Sequence, residues 1–165
     1  MKKKLILLSL FSIGFSSCEK DDICAADTPT TPQLVIEFFN EVTNASLSVS
    51  KLKIINTETS NQLGVYNEAK IKIPLKTDVD ITKYSFTINS GSTVVGAENT
   101  DKLEFNYSRN NIFISRACGF KTNFILNNPS ILVKESLVTS EWIKKIIITN
   151  SNILNENETH IKIFL

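Results

Sequence analysis

Histidine is almost missing from this chain: His160 is the only one. A Ser-His-Asp or Cys-His centre would have to be built on that residue, and a His-rich metal site is excluded. Arginine is nearly as scarce, with Arg109 and Arg116 alone. A basic patch for nucleic acid is therefore not supported. There is no His-Glu-x-x-His, no Gly-x-Ser-x-Gly and no glycine-rich loop to cradle a phosphate. The 5 glycines argue mildly against a tightly coiled small barrel, whose corners often need glycine. After the N-terminus, no apolar run approaches the roughly 20 residues of a spanning helix.

What is present begins at the N-terminus. Lys2, Lys3 and Lys4 form a positive flank, and Leu5 to Phe15 form an apolar stretch of 11 residues. The small pair Ser16-Ser17 leads into Cys18. Such a stretch is too short to span a bilayer and reads as a cleavable signal. A cysteine at the cleavage position is expected to carry a diacylglycerol thioether and an acylated amine. More than one acyl chain makes anchoring stable. The alternative is an ordinary secretory signal with an incidental cysteine. The charged run Glu19-Lys20-Asp21-Asp22 that follows is a solvated tether on physical grounds alone. The expected organisation is residues 1–17 as signal peptide, 18–32 as lipidated tether and 33–165 as one β-sandwich domain.

Removing residues 1–17 leaves 148 residues, enough for one domain with a proper core. The signal takes three lysines and no acid with it. The 18 basic residues become 15 against 17 acidic, so the mature chain carries −2 rather than +1. With Cys18 lipidated, Cys24 and Cys118 remain. In an oxidising compartment they suggest one disulfide, and two free buried thiols are the alternative.

From Leu34 the chain alternates. Leu34 to Phe39 is a strand by its β-branched and aromatic content, followed by a loop over 40–45. Leu47 to Ile54, Ile71 to Leu75, Tyr84 to Ile88 and His160 to Phe164 show the period of two that marks half-buried strands. Pro74 cannot donate to a ladder, so its strand is expected to lie at an edge or to end there. Residues 57–64 read as turn, and Val94-Val95 as a short strand. Leu103 to Tyr107 and Ile112 to Ser115 flank Ser108-Arg109-Asn110-Asn111, which reads as a tight hairpin turn. Phe120 to Leu126 is another strand, and Trp142 to Thr149 a further one with a helical turn in front. Eight to ten short strands without a long helix predict an all-β fold, an antiparallel β-sandwich of immunoglobulin-like type, with a small β-barrel as the alternative.

Little in the chain points to chemistry. His160 sits in an alternating strand, where packing explains it. Asp78 with Asp80, and Glu98 with Asp101, fall in expected loops and could offer oxygen ligands to calcium, but each reads first as a solvated turn. Paired carboxylates could serve a glycosidase, and nothing singles out a pair. The aromatic residues fall mostly on strand positions that core packing explains. Phe38 and Phe39 are adjacent and so point to opposite faces, which requires one of them to meet a second layer, a loop or a partner. No catalytic residue, metal ligand or cofactor is expected beyond the covalent lipid on Cys18.

Glu19-Lys20-Asp21-Asp22 resembles the Lys-plus-acidic export tag of surface lipoproteins in Bacteroidota. Cys18 to Cys24, Thr28-Pro29-Thr30-Thr31-Pro32 running into Leu34 to Phe38, and Ile114-Ser115-Arg116-Ala117-Cys118-Gly119-Phe120 are similar to a family of uncharacterised lipoproteins of that group, as is Trp142 to Phe164. The resemblance implies an outer-membrane, lipid-anchored protein facing the cell surface, with a periplasm-facing anchor as the alternative. It implies no activity. The expected partners are the lipid bilayer and, by analogy, an outer-membrane β-barrel protein. The expected function is that of a non-enzymatic docking module, with carbohydrate or peptide capture as the second reading.

Overall fold

In the segment Leu34-Val35-Ile36-Glu37-Phe38-Phe39, Leu34, Ile36 and Phe38 are fully buried, and the intervening side chains face the other way. The same alternation recurs along the chain and decides its architecture. The computed structural model describes residues 23–127 and 141–165, together with the backbone of Val133–Ser136. The expected lipidation site Cys18, the expected signal peptide 1–17 and the expected tag Glu19, Lys20, Asp21 and Asp22 lie outside the described residues.

Eleven strands are described: β1 Leu34–Phe39, β2 Leu52–Asn56, β3 Gln62–Tyr66, β4 Lys70–Ile73, β5 Ile81–Ile88, β6 Asn99–Ser115, β7 Gly119–Leu126, β8 Val133–Ser136, β9 Lys145–Ile148, β10 Asn152–Ile153 and β11 Ile161–Phe164. No helix occurs among the described residues. The strands form a four-stranded sheet, β4-β1-β11-β9, and a seven-stranded sheet, β10-β7-β6-β5-β2-β3, with β8 also paired to β6. Neither closes into a barrel, and the fold is all-β, consistent with the expected sandwich. The pairing is mainly antiparallel. The exception is β1 with β11, which run parallel with Ile36 opposite Ile161 and Phe38 opposite Ile163.

The chain divides into two units. The larger comprises Thr30–Asn111 and Thr122–Leu165 and contains the sandwich. Its core joins Leu34, Ile36 and Phe38 of β1, Ile71 and Ile73 of β4, and Ile161 and Ile163 of β11 to Leu52, Ile54, Phe86, Leu103, Phe105 and Phe124 of the larger sheet. The smaller unit comprises Met1–Pro29 and Ile112–Lys121, which includes the turn between β6 and β7.

Several sequence expectations change. The strand expected from Trp142 to Thr149 begins only at Lys145, and residues 141–144 in front of it are not helical. The strand expected over 47–54 starts only at Leu52, because Lys51 adopts φ 45° and its N–H turns to Asn67 Oδ1 at 2.8 Å. Gln62–Tyr66, half of which reads as turn, is strand β3. Val94-Val95 is exposed loop, not strand. Ser108 to Asn111 is not a turn: β6 runs unbroken from Asn99 to Ser115. Its polar side chains bond sideways instead. Ser108 Oγ donates to Asn127, Arg109 Nε donates to Asp80 at 2.6 Å, and Asn111 Oδ1 accepts from Thr122 Oγ1. The reversal comes later, at Gly119 with φ 69°, where a side chain would strain the backbone. Pro74 follows the last residue of β4, which is an edge strand.

Candidate functional site

The outer face of the four-stranded sheet follows from its register. With Ile71, Ile73, Ile36, Phe38, Ile161 and Ile163 turned to the core, the alternate positions carry Lys70 and Lys72 on β4, Glu37 and Phe39 on β1, Lys162 and Phe164 on β11, and Lys145 on β9. Lys72 pairs with Glu156 at 2.8 Å, and Lys70 lies 3.8 Å from Glu37. Lys145 and Lys162 sit differently. Phe39 and Phe164, opposite each other in register, approach to 5.5 Å between ring centroids. The Lys162 ammonium stands 4.7 Å over Phe39, and that of Lys145 stands 5.5 Å over Phe164. Each cation is attracted to the negative face of its ring. The result is a cationic, aromatic patch. Phe38 and Phe39 thus separate as alternation requires. Phe38 is buried against Trp142, with centroids 6.5 Å apart, and Phe39 lies in the outer patch.

His160 is a buried joint of the sandwich. Its ring Nδ1 accepts the Val35 N–H at 3.0 Å, and its backbone N–H donates to Val35 O at 3.0 Å. The imidazole must be neutral at Nδ1 to accept that bond. Burial lowers its pKa from the ordinary 6.5, against the opposing pull of Glu158 and Glu156.

The acidic pairs do not form metal cages. Asp80 is committed to Arg109, which also donates to Thr77 O. Asp101 is not in a loop: it lies on β6, fully buried, and its Oδ2 accepts the N–H groups of Trp142 at 3.1 Å and Ile143 at 2.8 Å. Glu98 accepts the N–H of Gly91. Among the described residues no group of three or more His, Cys, Asp or Glu could hold a metal ion. The loop between β4 and β5 is pinned by two tyrosines. Tyr84 donates to Pro74 O at 2.6 Å, and burial pushes its pKa to about 12. Tyr107 donates to Lys76 O at 2.9 Å, so the Thr82 hydroxyl, 2.6 Å away, donates to Tyr107. On the larger sheet, Lys83 bonds Glu104 at 3.0 Å and holds that carboxyl below its ordinary range.

In the smaller unit, Cys24 and Cys118 are at disulfide distance, with Cα atoms 5.0 Å apart. Beside Cys118, Phe120 is 68% exposed and Phe113 56% exposed, and Ile23 next to Cys24 is 82% exposed. The two phenylalanine rings meet edge to face at 5.2 Å. Sequence reasoning missed this pair because both residues stand in strands and look like core. Alternation carried no signal for it: Phe120 shares the parity of the buried Thr122, Phe124 and Leu126, yet it is exposed.

The chain matches the model of a family of unknown function (DUF6452) over residues 46–165, more than half its length, and it belongs to that family. No curated protein and no solved structure matches it.

Proposed function

We propose that this member of the family is a lipid-anchored outer-membrane protein of the Bacteroidota surface, held through acyl chains on Cys18, whose sandwich serves as a non-enzymatic docking module for another envelope protein. The N-terminal pattern from Lys2 to Asp22 supports the anchor and the address. The observation that carries the docking role is the patch formed by Phe39, Phe164, Lys145 and Lys162. Aromatic rings with cations above them combine apolar area with charge: aromatic rings are enriched in interface cores, and lysines suit the polar rim around them. The patch fits an outer-membrane β-barrel protein that presents carboxylates to it, because the two ammonium groups lie over rings and stay open to a second contact.

The test is crosslinking in intact cells, with a photoreactive residue placed at Lys162 and a control at Val65 on the larger sheet. One dominant membrane partner from position 162, absent from position 65, is expected. Recovery of no partner overturns the docking role. Carbohydrate capture is the second reading, because it requires exposed aromatic rings. The Phe113–Phe120 pair supplies them, yet its rings are inclined at 64° and cannot both lie flat on one sugar face. A glycan array tests it directly.

A further inference from the structure

The exposed apolar residues of the smaller unit are joined to the N-terminal anchor by very little chain. Cys24 lies six positions after Cys18, an extended reach of at most about 20 Å. Cys24 and Cys118 bring the next link to 5.0 Å between Cα atoms, and Phe120 follows Cys118 by two residues. Without that link, 94 positions of sequence separate the two cysteines. Ile23, Phe113 and Phe120 are more than half exposed, and the exposed Arg116 stands in the same turn. We infer that the β6–β7 turn is a second membrane contact: Phe113, Phe120 and Ile23 enter the interfacial layer of the bilayer that holds the lipid on Cys18, with Arg116 at the phosphate level.

The chemistry suits that layer. Aromatic rings concentrate where hydrocarbon meets headgroups, and a cationic side chain beside them is drawn to anionic lipid. A side chain that penetrates the headgroup region by about 5–10 Å needs no spanning element. The acyl chains hold the protein at the surface, so the aromatic pair need not supply affinity. Its contribution is orientation: two attachment points, one lipid and one protein, restrict how the turn faces the membrane.

The inference rests on the lipid-anchor reading, and the experiment separates the two. Full-length chain carrying Phe120→Trp is purified from cells in detergent, its acylation at Cys18 is established by mass spectrometry, and it is reconstituted into phosphatidylethanolamine–phosphatidylglycerol vesicles. Trp142, the one native tryptophan, is 6% exposed and bonded through its indole N–H to Phe86 O at 3.1 Å, so it contributes a constant background. The expected result is a blue-shifted emission for the added tryptophan, strong quenching by lipids brominated along their chains and protection from iodide in water. A Val95→Trp chain, altered at a fully exposed loop position, should show none of these. Reduction of the Cys24–Cys118 link should weaken the lipid quenching while the protein stays on the vesicles. Unchanged iodide access to position 120 on vesicles, with acylated Cys18, overturns the inference and leaves the anchor intact. Absence of acyl chains on Cys18 overturns both. Protection of position 120 by soluble oligosaccharide but not by lipid overturns it in favour of glycan capture.

Discussion

Acid should loosen this sandwich at His160 before it affects any carboxylate. The imidazole is 1% exposed and its Nδ1 accepts the Val35 N–H, a bond that the protonated ring cannot accept. Its pKa is lowered in the folded chain, chiefly by burial, so the folded state binds fewer protons than the unfolded state around the ordinary value of 6.5. The contribution of His160 to stability is therefore complete above 6.5 and declines as pH falls toward its depressed value. Across that window the slope reaches about 1.4 kcal/mol per pH unit for a single site. Glu104 and Glu156, whose pKa values lie below the ordinary 4.5, contribute stability that is lost only in more acidic solution. The assay is urea unfolding between about pH 7.5 and pH 5 of the native chain and two variants. His160→Asn keeps an acceptor oxygen without a titrating ring, and should flatten the profile. His160→Leu strands the buried Val35 N–H at every pH and should cost about 1–3 kcal/mol throughout. A native midpoint that does not move across the window, or an Asn variant with the native slope, would refute the reasoning.

Other consequences are simpler to measure. Phe38→Ala should destabilise by about 3–5 kcal/mol in thermal or urea unfolding, because a fully buried ring is lost from the core. Phe39→Ala should cost about 1 kcal/mol or less, since it removes an outer-face contact with Lys162 and Phe164. Equal costs at the two positions would contradict the face assignment. Tyr107→Phe should lose about 1–2 kcal/mol by unfolding, because the Lys76 carbonyl and the Thr82 hydroxyl each lose a partner. Reducing the Cys24–Cys118 link, or replacing Cys118 with Ser, should lower stability by up to about 4–5 kcal/mol in the chain-entropy view of a closed loop this long. Thiol labelling of both residues in native, unreduced protein would contradict the link.

How much of this was legible in the residues depends on what each signal reports. Alternation reports which face of a strand is wet, so β1, β4, β5, β7 and β11 could be read almost as they stand. It does not report where a strand ends when polar side chains find partners across the sheet. Ser108-Arg109-Asn110-Asn111 has turn composition, yet Asp80, Thr122 and Asn127 satisfy its side chains and β6 continues. Lys51 hides a break, because a positive φ at lysine carries no sequence mark and is held by a tertiary bond that its N–H donates to Asn67. Pro74 was informative because a missing N–H acts locally. The outer patch was half visible: adjacent Phe38 and Phe39 required a second environment for one ring, while the lysines above Phe39 and Phe164 come from strands distant in sequence. The exposure of Phe113 and Phe120 could not be read from alternation, since a strand pattern does not say which of its two faces the rest of the chain covers.

The docking role stands or falls on whether the Phe39–Phe164 patch meets a partner on the cell envelope. Photocrosslinking from position 162 in intact cells tests this most directly. The prediction is a single predominant outer-membrane protein, lost when Lys145 is replaced by Glu while the level of the protein is unchanged. A crosslink pattern that is empty, or that is the same with and without the Lys145 replacement, would contradict it.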